Sequence, residues 1–184
     1  PEPAAMEMVW SNMQLHWVAD PMALLRHWHG LLAVDGFVMC SSFGPDTLRG
    51  LRAVYAAEGW GEPCHDFTDM HDLGDMMVQA GFAEPVMDTE RITLSFATPE
   101  RLLQELRELG RNAHVRRPAV SRGRAWKARL LQALWRLARA EEGGALVLEF
   151  EIVYGHALKP QPRARMEAES VIGLHDMRQM LRRS

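Results

Sequence analysis

The chain has 184 residues, 47% of them hydrophobic and 24% charged, a composition that excludes intrinsic disorder and suffices for the core of one domain. No apolar run approaches the roughly 18 residues of a membrane span, and the two cysteines, Cys40 and Cys64, form no CxxC pair, which favours a reduced, cytoplasmic protein. The net charge of −3 and the pI of about 6.3 argue against a broad nucleic-acid-binding surface.

The start of the chain predicts a strand, a helix and a second strand. Residues 6–10 form an apolar run that ends at a Ser-Asn pair, and residues 37–40 form another run after an Asp-Gly turn. Between them, Asp20 and Pro21 are typical of a helix start, as N-cap and first helical residue. Because neither run alternates with polar residues, we predict a βαβ unit with two buried parallel strands.

The rest of the chain predicts four more helices, ending near residues 57, 80, 109 and 139, and two more strands, over residues 86–96 and 146–154. The last strand alternates apolar and polar side chains, so we expect it to be antiparallel and half-exposed. The order β-α-β-α-α-β-α-α-β predicts an α/β fold. It is typical of the C-terminal part of a doubly wound sheet that is mostly parallel.

Charge is distributed unevenly between the two halves of the chain. Residues 1–100 carry 4 basic and 15 acidic side chains, whereas residues 101–184 carry 17 basic and 9 acidic ones. Arg122, Arg129 and Arg136 are spaced by seven, so on one helix they would form a single row. The row predicts either a docking surface for an acidic partner or a solvated helix face.

Several short segments together resemble one family, the BioC-type malonyl-[acyl-carrier protein] O-methyltransferases, which are class I enzymes dependent on S-adenosylmethionine. The segments are Ser-Asn-Met-Gln-Leu-His-Trp at 11–17, Phe-Gly-Pro-Asp-Thr-Leu-Arg at 43–49, His-Asp-Phe at 65–67, Asp-Leu-Gly at 72–74, Ala-Gly-Phe at 80–82 and Leu-Gly-Arg-Asn at 109–112. A sister group, the methyltransferase-like assembly factors of respiratory complex I, shares nearly the same blocks.

The resemblance implies a Rossmann-like fold and methylation of the free carboxylate of a malonyl thioester on acyl carrier protein, in biotin synthesis. The family binds its cofactor mainly through a Gly-rich turn after the first strand, whereas the only G-x-G here, residues 59–61, follows a predicted helix. We therefore expect the chain to begin part-way through the family's fold and to bind S-adenosylmethionine weakly by itself. Two alternatives stay open: an assembly factor acting on an arginine of a complex I subunit, and a non-catalytic module that binds an acidic partner.

The candidate site residues follow the first two predicted strands, because ligands of open α/β sheets bind beyond the carboxyl ends of the strands. Arg49, early in the next helix, is the candidate for the substrate carboxylate, or else a solvated side chain. No general base is needed, since a carboxylate is already ionised at neutral pH. The candidates for the cofactor or acceptor pocket are Ser11, Asn12, Gln14, Trp17 and Phe43.

Residues 1–158 are predicted to form a partial methyltransferase domain, in which residues 98–142 are a helical, basic insertion before the last strand. Residues 159–184 are predicted to be a charged, weakly patterned tail with a composition compatible with disorder. We predict no metal site. His27 and His29 would point about 200° apart on a helix, and the other His-Asp pairs have no zinc-type spacing.

Overall fold

The computed structural model describes residues 5–110, 123–139 and 143–162. The strands in these ranges are β1 (Met6–Ser11), β2 (Leu32–Phe43), β3 (Ala83–Phe96) and β4 (Leu146–Leu158). The helices are α1 (Pro21–Leu31), α2 (Arg49–Glu58), α3 (Met70–Ala80), α4 (Pro99–Leu109) and α5 (Arg124–Leu134), with one-turn 3-10 helices at Leu15–Trp17 and Trp135–Leu137. Strands and α-helices alternate in the predicted order.

The four strands form one open sheet in the order β1-β2-β4-β3. β1 pairs with β2 in parallel, and β4 lies antiparallel between β2 and β3. Three strands therefore run in one direction and the last strand in the other. The predicted α/β class and the direction of the last strand are confirmed.

Local sequence signals explain where the helices begin and end. The Asp20 carboxylate accepts the backbone N–H of Ala23 at the start of α1, and the Thr98 hydroxyl does the same for Arg101 at the start of α4. Gly81 ends α3 at φ +107°, a left-handed conformation that favours glycine.

Helices on both faces of the sheet cover two separate apolar cores. On one face α1 and α3 pack around Leu25, Leu73 and Met77, which are almost fully buried. On the other face α2, α4 and α5 pack against the first half of β4 around Leu102 and Leu134. Because helices lie on both sides, the apolar residues of β4 are buried on both sides.

Three sequence expectations are wrong in detail. β1 is the exposed edge of the sheet, with Trp10 71% accessible, because no strand covers its free side in the described chain. β4 is mostly buried rather than half-exposed, because helices cover both faces of the sheet along it. The expected turn at Asp35 is a bulge inside β2, at φ +65°, where the register with β1 shifts.

The predicted domain limits remain predictions. Helices α4 and α5 lie within the expected insertion at residues 98–142, and residues 159–162 continue beyond β4. The remainder of the predicted tail, residues 163–184, lies outside the described residues.

Candidate functional site

A cavity of about 520 Å³ lies at the carboxyl ends of β1 and β2. Its lining comes from the segments that follow these strands, from helices α2, α4 and α5, and from the loop before α3. Most of the lining is apolar or aromatic. The polar or ionisable side chains among the lining residues are His16, Thr47, Tyr55, Cys64, His65, Arg107 and Lys127.

The polar residues at the end of β1 fasten the two strand ends together. The Ser41 hydroxyl donates to Asn12 Oδ1 at 2.6 Å and accepts the Met13 backbone N–H at 3.0 Å. The Ser11 hydroxyl donates to Gln14 Oε1 at 3.3 Å. Ser11, Asn12 and Gln14 are not among the cavity-lining residues. The structure therefore places these three predicted pocket residues beside the cavity, where they fix the segment that lines it.

Trp17 and Phe43 do line the cavity, as part of an aromatic cluster around His16. The His16 ring centroid lies 4.6 Å from that of Phe43, 5.5 Å from that of Trp17 and 5.8 Å from that of Phe67. Phe67, in the loop before α3, was missed by the sequence reasoning as a lining residue, although it belongs to a segment that resembles the family. Tilted and edge-on contacts of this kind are favourable between aromatic rings and stabilise this wall of the cavity.

His16 is held as a neutral imidazole with a defined tautomer. The backbone N–H of Phe43 donates to His16 Nδ1 at 3.4 Å, and the Ser42 hydroxyl lies 3.3 Å from the same nitrogen. Because a backbone N–H can only donate, Nδ1 is an acceptor and the ring proton is on Nε2. Burial, with a smaller contribution from the nearby His65, lowers the pKa of His16 from 6.5 to about 4.

A turn at residues 44–47 extends the pairing of β2 with β4 and forms one side of the cavity. The Thr47 hydroxyl donates to the Glu151 carbonyl at 3.0 Å and accepts the Glu151 N–H at 3.1 Å. The Gly44 N–H donates to the same carbonyl, and Leu48 N–H donates to Glu149 O at 2.8 Å. These bonds satisfy the backbone of β4 where β2 has ended, and so place Thr47 and Leu48 in the lining.

Gly110, at the end of α4, lies directly against the indole of Trp17. A Cβ at Gly110 would stand 2.8 Å from Trp17 Cη2, and its φ of +140° also favours glycine. The contact joins the helix that follows β3 to the segment that follows β1. The cavity is therefore closed on this side by two parts of the chain that are distant in sequence.

The structure does not bring Arg49 into the cavity. Its side chain is 77% accessible, its guanidinium lies 3.6 Å from the Asp46 carboxylate, and the preceding residue, Leu48, lines the cavity instead. The reason is helical geometry: Leu51 of α2 lines the cavity, and residues two apart on a helix point about 200° apart. The cationic side chains in the lining are Arg107 and Lys127, which the sequence reasoning missed. Each directly follows an apolar residue that also lines the cavity, Leu106 or Trp126.

Two members of the predicted arginine row lie in the described residues, whereas Arg122 lies outside them. Arg129 is in α5 and Arg136 is in the 3-10 turn that follows. Both pair with one carboxylate, Glu58 of α2, at 3.0 and 2.8 Å, and these contacts lower the Glu58 pKa. The row therefore carries less free positive charge than the sequence suggested.

Within the described ranges, no group of three or more His, Cys, Asp or Glu side chains is arranged to hold a metal ion. No helix in those ranges is both long enough and apolar enough to cross a membrane.

Comparison with known proteins finds no matching family model. It does find curated relatives: the malonyl-[acyl-carrier protein] O-methyltransferases of Gallionella capsiferriformans and Laribacter hongkongensis are 41% and 40% identical to this chain over 169 residues. The alignments cover 91% and 90% of this chain. The chain is homologous to the malonyl-[acyl-carrier protein] O-methyltransferases. The resemblance read from the sequence is therefore confirmed, although the chain spans only 57% and 55% of these two methyltransferases.

Solved structures support the fold of these methyltransferases. A candidate methyltransferase from Bacillus halodurans matches with a TM-score of 0.55 at 14% identity, over 86% of this chain and 66% of the other. The YcgJ protein of Bacillus subtilis matches with a TM-score of 0.54 at 10% identity, over 87% of this chain and 66% of the other. At this identity the likeness concerns the fold alone, and it confirms the predicted Rossmann-like sheet.

Proposed function

We propose that this chain forms the acceptor-binding part of an S-adenosylmethionine-dependent methyltransferase that esterifies the free carboxylate of a malonyl thioester on acyl carrier protein, in biotin synthesis. The homology supports the reaction type and the substrate class. The observation that carries the proposal is the aromatic cavity at the carboxyl ends of β1 and β2. In open α/β sheets this is the place where ligands bind.

The cavity suits methyl transfer to a carboxylate because such a transfer needs alignment and dryness more than acid–base chemistry. A free carboxylate has an ordinary pKa near 4, so it is an ionised nucleophile at neutral pH. Trp17, Phe43 and Phe67 would reduce the access of water to a carboxylate bound beside them, which strengthens polar contacts made there. We therefore propose that the aromatic residues of the cavity act in positioning and desolvation.

His16 supplies a hydrogen-bond donor and not a base. Its pKa of about 4 keeps the ring neutral at neutral pH. Because Nδ1 accepts the Phe43 N–H, the single ring proton is on Nε2. An Nε2–H in the wall suits an oxygen of the acceptor, such as the thioester carbonyl or the carboxylate. A neutral donor can orient that oxygen without adding a charge to the site.

S-adenosylmethionine supplies the methyl group, as an activated sulfonium. The described residues do not fit its nucleotide part, because the Gly59–Trp60–Gly61 segment follows α2 and no glycine-rich turn follows a described strand. We therefore derive no step through the cofactor from this chain.

Acyl carrier protein is the proposed macromolecular partner, and the cytoplasm, where thiols stay reduced, is the proposed compartment. Both cysteines are free thiols, which is compatible with that placement.

Arg129 and Arg136, with Arg122, remain our proposed docking residues. Arg129 and Arg136 both pair with Glu58, so we expect acidic groups of the carrier protein to compete with Glu58 for them. Charges at the rim of an interface mainly raise the association rate. Exchanging Arg129 and Arg136 for Glu should then weaken use of the carrier-bound substrate several-fold at low salt and spare a small malonyl thioester.

The test of the function is methyl ester formation on malonyl-acyl carrier protein by the gene-encoded protein, followed by mass spectrometry. Trp17→Ala should lower the rate strongly. Trp135→Ala is the matched control, because Trp135 is equally accessible (50% against 51%) and is not among the cavity-lining residues. Absence of ester formation by the unaltered protein, or equal losses in the two variants, would contradict the proposal.

A further inference from the structure

The cavity contains an imbalance of charge. Among the described residues that line it, the permanently charged side chains are Arg107 of α4 and Lys127 of α5, and no Asp or Glu is present. His16, which also lines the cavity, adds no charge at neutral pH because its pKa is about 4. The lining therefore combines apolar walls with two positive charges.

Six arginines of the described chain are paired with carboxylates, whereas Arg107, the arginine in the cavity lining, is not. The paired arginines are Arg49 and Arg91 with Asp46, Arg52 with Asp66, Arg129 and Arg136 with Glu58, and Arg139 with Glu149. Within the described part of the chain, neither Arg107 nor Lys127 forms an ion pair. Two unpaired cations that face one apolar cavity favour an anionic ligand.

The surroundings of the two cations make them suited to a carboxylate. Leu103 and Leu106 of α4 and Trp126 of α5 line the cavity beside them, so an anion bound there would be partly shielded from water. A guanidinium offers two parallel N–H donors that match the two oxygens of a carboxylate, whereas an ammonium acts as a compact point charge. The arrangement therefore provides one bidentate partner and one supporting charge.

We propose that Arg107, supported by Lys127, binds the free carboxylate of the acceptor and so selects malonyl over uncharged acyl thioesters. This inference rests on the proposed function and names the specificity-determining residue of the same site. It assigns to the helices after β3 the role that the sequence suggested for Arg49, which the structure places outside the cavity.

The test is calorimetric binding of malonyl- and acetyl-N-acetylcysteamine to the 184-residue chain, which requires neither cofactor nor carrier protein. Arg107→Gln should raise the Kd of the malonyl thioester about tenfold or more, since a hydrogen bond to a charged group contributes roughly 1.5–3 kcal/mol. Its affinity for the acetyl thioester should stay within about twofold, as expected for a ligand that lacks the charged group. Arg107→Lys should fall between, and Lys127→Gln should have a smaller effect.

Arg49→Gln and Arg101→Gln are the controls, because both residues are exposed, as Arg107 is, but neither lines the cavity. Arg101 is also on α4. Loss of malonyl affinity in Arg49→Gln but not in Arg107→Gln would overturn the assignment and leave the proposed function intact. A third probe, 4′-phosphopantetheine, separates the carboxylate from the phosphate of the carrier arm. If Arg107→Gln weakens only that probe, the carboxylate assignment is wrong.

Discussion

Replacing Thr47 by Val tests the turn that places one side of the cavity. The Thr47 side chain is fully buried, and its hydroxyl both donates to and accepts from the backbone of Glu151. In Thr47→Val the Glu151 carbonyl keeps the Gly44 N–H at 2.9 Å, whereas the Glu151 N–H loses its described partner. One buried donor without a partner costs about 1–3 kcal/mol of unfolding free energy.

For a domain of this size, that loss lowers the melting temperature by roughly 2–12 °C. Thr47→Ser is the control, because it keeps the hydroxyl and removes a methyl group worth about 1 kcal/mol. Thermal unfolding followed by circular dichroism should therefore rank wild type above Ser and Ser above Val. If burial alone mattered, Val would be at least as stable as wild type, and that result would refute the hydrogen-bond argument.

Three further predictions concern the cavity and its supports. Gly110→Ala should displace the Trp17 indole and shift its ¹H–¹⁵N resonance. Gly30→Ala is the control, because a Cβ at Gly30 would meet open space, and it should leave the resonance unchanged. Unchanged spectra in both variants would contradict the contact. The folded chain should lose stability as the pH falls from 6.5 to about 4, because the unfolded state protonates His16 in this range and the folded state does not. The unfolding free energy of His16→Gln, measured with urea, should depend less steeply on pH, and equal slopes would exclude this cause. Glu58→Gln should destabilise the chain at neutral pH, and its effect should be much smaller at pH values far below 4.5. The Glu58 pKa is lowered in the folded state, so the stabilising charge is present above pH 4.5 and is lost as the pH falls. A loss of stability that does not vary with pH would refute the ion-pair role.

The order of elements could be predicted from the sequence because the signals are local. Asp20, Asp69 and Thr98 each accept a backbone N–H in the first turn of the helix that they precede, and Gly81 ends α3. The exposure of the strands could not be predicted in the same way. An apolar run indicates a strand, but only the neighbouring strands and helices determine whether β1 or β4 is covered.

The candidate site could be predicted only where it follows a strand. Trp17 and Phe43 come directly after β1 and at the end of β2, so the rule for open sheets finds them. Arg107 and Lys127 come from helices after β3, more than 60 residues further along the chain, and no local pattern records that their faces meet the same cavity. For Arg49, position in the chain was a poor guide, because α2 turns Leu51 toward the cavity and residues two apart on a helix point about 200° apart.

The inner position of β4 also bears on how the chain is made. β2 and β3 do not pair with each other; each pairs with β4, which lies between them. Both are synthesised before residues 146–158. At a translation rate of about 5–20 residues per second, the backbone groups that will pair with β4 stay unpaired for several seconds. The α1–β2–β1 unit can pair at once, because its contacts are near in sequence. We therefore expect a nascent chain that stops before β4 to bind chaperones, and release to coincide with the emergence of the Leu146–Leu158 strand from the ribosome.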